Sequence, residues 1–155
     1  MKRLLAVSLM VWASWAQSQP LSPFISGSLQ QIVDAQRGKP FVLMFWSLDC
    51  THCQYDLQQW GKRSQGKPAP ALVLVAVDGP EQQAAIRARL QQYRLTSQPA
   101  WVFADTPEKL RFEIDRRWYG ELPRTYFYRA DGQYQAVSGK LSTQQIESWL
   151  REMKG

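Results

Sequence analysis

The chain has 155 residues, 45% of them hydrophobic, which suits one domain with a sizeable core. Its formal charge of +6 is a modest surplus, and Arg87, Arg89, Arg94, Arg111, Arg116 and Arg117 are interleaved with carboxylates on predicted helices. That is the pattern of a solvated face and contains no nucleic-acid motif. Two cysteines and one histidine are too few to close a four-ligand structural zinc site.

At the N-terminus, Lys2 and Arg3 precede an apolar run at residues 4–15, and the small residues Ser14 and Ala16 follow at cleavage-site spacing. This reads as a secretory signal over residues 1–16, removed before Gln17. The run is shorter than the roughly 20 apolar residues a spanning helix needs, so no stable membrane insertion is expected after cleavage. Lipidation would need a cysteine at the cleavage point, and the two cysteines are Cys50 and Cys53. Cleavage removes two basic residues and no acids, so the charge falls from +6 to +4.

Residues 17–27, rich in Ser and Pro without periodicity, read as a lead-in linker, and residues 28–155 as the folded domain. Leu29, Ile32 and Val33 share a helical face, with Ser28 and Gln31 at capping-box spacing. Phe41 to Trp46 is a continuous apolar run, expected of a strand buried on both faces, and it delivers the chain to Cys50. Leu57 and Trp60 support a helix starting near Cys50, with a break over residues 61–70. Residues 71–77 form a second buried-type strand, and Gly79-Pro80 introduces a helix bearing Ile86, Leu90 and Tyr93 on one face.

Residues 100–104 form a short third strand. Thr106 and Pro107 then open a helix carrying Leu110, Ile114 and Trp118. Residues 124–128 and 133–137 flank Ala130-Asp131-Gly132, a hairpin signal. Ser142 with Gln145 caps a last helix whose inner face holds Ile146, Trp149 and Leu150. The class is α/β, a mixed sheet with helices on both sides.

A Cys-x-x-Cys pair at a helix N-terminus has a chemical logic. The helix dipole and free N–H groups stabilise a thiolate, which is the attacking species. Cys50 is the candidate nucleophile, and Cys53, one turn on, is placed to attack a mixed disulfide at Cys50. Other readings are a zinc half-site, a structural disulfide, and a soft Cu(I) site. Closing so short a loop stabilises a fold by only about 2 kcal/mol.

The segment Phe45-Trp46-Ser47-Leu48-Asp49-Cys50-Thr51-His52-Cys53 resembles the active-site segment of thioredoxin-like proteins of the TlpA, ResA and CcmG kind, exported bacterial thiol:disulfide reductants. The resemblance implies a thioredoxin fold with a strand-helix insert between Cys53 and Leu122, a periplasmic or secreted location, and protein disulfides or dithiols as partners. It also implies a membrane electron donor and no cofactor or metal. Pro123 matches the family's cis-proline, with Leu122 offering its backbone to an extended substrate.

Asp56 stands where ResA-like proteins often carry glutamate and is expected to relay the Cys53 proton, or else to be a solvated helix acid. His52 lies where the oxidant DsbA has histidine and is expected to tune the Cys50 thiolate. Asp49 replaces the usual tryptophan, either adding a charge beside Cys50 or capping the helix. Arg124 replaces the usual threonine and poses the question of an acidic partner. Reduction, oxidation by the same chemistry, and Cu(I) delivery all remain open at this stage.

Overall fold

A computed structural model describes residues 20–65 and 70–153. The expected signal at residues 1–16, and residues 17–19 of the lead-in, lie outside the described residues. In chain order the elements are β1 (Ser22–Phe24), α1 (Ser28–Ala35), β2 (Phe41–Trp46), α2 (Thr51–Arg63), β3 (Ala71–Ala76), α3 (Gln83–Gln92), β4 (Ala100–Phe103), α4 (Pro107–Ile114), β5 (Arg124–Tyr128), β6 (Tyr134–Ser138) and α5 (Thr143–Glu152). The six strands form one sheet in the order β1-β4-β3-β2-β5-β6. The β1–β4, β4–β3 and β3–β2 pairs are parallel, while β2–β5 and β5–β6 are antiparallel. The expected insert is present as α3 and β4, which sets β4 between β3 and β1.

Alternation of side chains along the central strands divides the core in two. Val42, Met44 and Trp46 of β2, with Leu72, Leu74 and Ala76 of β3, face the layer made by α2, α3 and α5. Phe41, Leu43 and Phe45, with Val73 and Val75, face α1 and α4. Every residue of β2 is buried, as its continuous apolar sequence predicts. Ser142 and Gln145 form the expected capping box of α5, an arrangement worth about 1 kcal/mol.

Four expectations are corrected. The lead-in is not wholly a linker: Ser22–Phe24 pairs with β4, and Phe24 is buried against Phe45 and Phe103. A three-residue edge strand containing Pro23 carries almost no periodicity, and proline is tolerated at an edge. Ser28 and Gln31 do not form a capping box. Gly27 is the N-cap at φ 84, and the Ser28 hydroxyl accepts the Ile25 N–H at 2.9 Å.

The helix also does not break at Gly61, since α2 runs to Arg63. Gly61 is instead where α2 passes against the Tyr93 carbonyl, leaving no room for a Cβ. Trp118 lies beyond the end of α4 yet is buried in the same cluster as Leu110 and Ile114.

Candidate active site

Strand β2 ends at Trp46, and α2 begins four residues past Ser47 at Thr51, so the intervening loop carries Cys50 to the helix N-terminus. Cys50 is itself the N-cap, and its Sγ accepts the Cys53 backbone N–H at 3.0 Å. Asp49, exposed and one residue earlier, is therefore not the cap. Cys50 and Cys53 are joined by a disulfide. Cys50 is partly exposed, whereas Cys53 is fully buried, so an incoming partner meets the Cys50 sulfur first.

The Leu122–Pro123 peptide bond is cis, as the resemblance implied. Arg124 pairs with Phe45, so Pro123 continues β5 alongside the end of β2 from which the cysteine loop leaves. The Pro123 carbonyl accepts the Gly139 N–H at 2.8 Å. Among the described residues no group hydrogen-bonds the backbone of Leu122, whose side chain packs against both core clusters. The stretch leading to the cis bond is held by buried Trp118, whose Nε1 donates to the Glu121 carbonyl at 3.0 Å.

Asp56 is not a solvated helix acid. Its side chain is fully buried one helical turn past Cys53, and both carboxylate oxygens accept the Leu141 N–H at 3.2 Å. Burial pushes its pKa up to about 7, against the Leu141 hydrogen bond and the charge of Lys140, which both lower it. The Lys140 ammonium sits 3.9 Å from the Tyr55 ring centroid. His52, between the cysteines, is exposed in the first turn of α2.

Arg124 does not offer its charge to a partner. It donates to Asp115 at 2.8 Å, to the Ser138 hydroxyl at 2.9 Å and to the Tyr126 hydroxyl at 3.2 Å, and it lies over the Tyr126 ring. Its neighbour Asp115 also accepts the Arg117 N–H, so the pair ties the end of α4 to β5. Nothing in the sequence pattern links positions 115 and 124. Likewise missed was Asp78, two residues past β3, whose carboxylate accepts the Leu48 N–H. Among the described residues, no group of three or more His, Cys, Asp or Glu side chains is arranged to hold a metal ion.

These features can be set beside known proteins. No family model matches the sequence, and no curated protein does. Solved structures do match. A disulfide oxidoreductase secreted by Mycobacterium tuberculosis and homologous to E. coli DsbE superimposes with a TM-score of 0.60 at 22% identity, over 77% of this chain and 85% of that one. The chain has the thioredoxin fold. DsbF of M. tuberculosis, seen in mixed oxidised and reduced forms, gives a TM-score of 0.62 at 23% identity, over 77% and 84% of the two chains. A thioredoxin-related protein of Neisseria meningitidis gives 0.61 at 18%, over 79% and 90%. At these identities the likeness establishes the thioredoxin fold and leaves the chemistry to the site.

The Asp56 pKa has a thermodynamic consequence with a definite sign. Its folded value of about 7 lies above the ordinary aspartate value of 3.8, so the folded protein keeps a proton that the unfolded chain releases. The associated stability is full below about pH 4 and is lost as pH rises through about 7, in total on the order of 4 kcal/mol. Burial also raises the pKa of Asp78, which adds a slope of the same sign. Urea unfolding of the oxidised protein at several pH values between 4 and 8 is expected to show this decline. Asp56→Asn should remove most of it, and an unchanged slope would contradict the assignment.

Proposed function

We propose that the chain is an exported thiol:disulfide oxidoreductase of the TlpA, ResA and CcmG kind, working as a reductant of protein disulfides. The observation that carries this is the asymmetric cysteine pair, with Cys50 accessible at the N-terminus of α2, Cys53 buried one turn on, and a cis-proline alongside. The Mycobacterium tuberculosis relative is described as secreted, and no helix among the described residues is long and apolar enough to cross a membrane. The secretion of that protein supports the signal read at residues 1–16 and a periplasmic or secreted location.

In the reduced protein the Cys50 thiolate is stabilised by the helix N-terminus, including the N–H of Cys53. It attacks one sulfur of a substrate disulfide, forming a Cys50-substrate bond and expelling the first substrate thiolate. The Cys53 proton passes to the Asp56 carboxylate, and the Cys53 thiolate attacks the Cys50 sulfur. The Cys50–Cys53 bond forms and the second substrate thiolate leaves. Two electrons have moved to the substrate, and the protein is in the disulfide state of the structure.

No cofactor takes part in this cycle. A thiol donor, in this reading a membrane electron donor, returns the electrons by the same exchange. The unpaired backbone of Leu122 and the adjoining Pro123 bind an extended substrate segment during the attack. His52, one residue before Cys53, tunes the Cys50 thiolate and so the redox poise.

The wild-type protein is expected to catalyse dithiothreitol-driven reduction of insulin, with Cys50→Ser inactive and Cys53→Ser accumulating mixed disulfides on Cys50. Absence of both turnover and adducts would contradict the reading, and stoichiometric high-affinity Cu(I) binding without turnover would favour copper delivery. His52→Pro places proline in the first helical turn, where it is tolerated. It is expected to lower the reduction potential, and an unchanged potential would remove His52 from the tuning role.

A further inference from the structure

The peptide of Leu48, two residues before Cys50, is gripped from three elements. Its N–H donates to both carboxylate oxygens of Asp78, at 3.1 and 3.3 Å. Its carbonyl accepts Gln54 Nε2 from α2 at 3.3 Å and Arg89 Nη1 from α3 at 3.5 Å. Asp78 is well placed to hold the loop, because Val77, beside it, donates its N–H to the Trp46 carbonyl at 2.9 Å. The chain leaving β3 thus runs alongside the chain leaving β2.

We propose that Asp78 is a positioning residue for Cys50: its carboxylate anchors the Leu48 peptide, and its charge sets how readily the Cys50 thiol ionises. The proposal rests on Cys50 being the nucleophile and deepens that reading. The anchor fixes the loop from which the Cys50 N–H reaches the Ser47 carbonyl at 3.4 Å, and hence where the sulfur stands at the helix end. The charge opposes a thiolate two residues away in sequence from the anchored peptide.

The charged groups around this anchor are Asp49 and Glu81, whose like charges oppose ionisation of Asp78, and Arg89 from α3, which reaches the Leu48 carbonyl. Asp78 is partly buried, and burial favours its neutral form while the Leu48 N–H favours the carboxylate. Asparagine keeps an acceptor for Leu48 without the charge, and alanine removes both. The two variants therefore separate anchor from charge.

The test uses two readouts on the full chain: the pH midpoint of Cys50 alkylation in the reduced protein, and hydrogen exchange of the Leu48 amide in the oxidised protein. Asp78→Asn is expected to lower the Cys50 midpoint by about half a unit, the effect of one nearby charge at a partly solvated site, and to leave Leu48 protected. Asp78→Ala should lower the midpoint similarly and speed Leu48 exchange about tenfold, as for one lost hydrogen bond to a carboxylate. Arg37→Ala, which removes an exposed ion pair with Asp34 of α1, should move neither relative to global stability.

An unmoved Cys50 midpoint in both Asp78 variants, or a Leu48 amide equally protected in Asp78→Ala, would overturn the proposal. Neither readout needs a protein substrate. Failure of insulin reduction would therefore sink the enzymatic reading while these measurements still decide the role of Asp78.

Discussion

The site depends on one constraint: β2 is buried on both faces and paired along both edges, with β5 as far as Phe45 and with β3 as far as Trp46, so its end is held in the sheet. A strand held in that way hands a rigid starting point to the loop ahead of Cys50, and α2 is fixed in turn by Leu57 and Trp60 in the core. The cysteines lie between these two anchors. A helix N-terminus stabilises a thiolate held within reach of its free N–H groups, and in the disulfide state Cys50 Sγ accepts the Cys53 N–H at 3.0 Å.

The buried carboxylate belongs to the same construction. Asp56 would be costly inside an apolar layer without a partner, and the partner is the Leu141 N–H at the start of the path into α5. Two residues earlier, the Gly139 N–H is bonded to the Pro123 carbonyl. The short connection from β6 to α5 therefore touches both the buried carboxylate one turn past Cys53 and the residue of the cis peptide bond.

What sequence reveals here follows from how local each cause is. The continuous apolar runs of β2 and β3 and the capping box at Ser142 are local patterns, and the structure reproduces them. Cys50, Cys53 and Pro123 carry their chemistry in their residue types and were legible, although the cis bond came from resemblance and not from spacing. Asp56 was legible as a candidate, but its burial depends on α5 closing over it from 85 residues away. Asp78 and the Asp115–Arg124 pair were not legible, because their partners are set by how β3 and α4 pack against the cysteine loop and β5. The edge strand β1 was hidden for a different reason: three residues with a proline give no period to read.

The central claim is that Cys50–Cys53 is a working redox couple poised to reduce. Its equilibrium reduction potential in a glutathione or dithiothreitol buffer, followed by the fluorescence of Trp46 near the pair, tests this most directly. The account predicts a value near that of thioredoxin, about −270 mV. A value well below about −300 mV would make the bond a structural disulfide, and one near about −120 mV would make the protein an oxidant; either would contradict the claim.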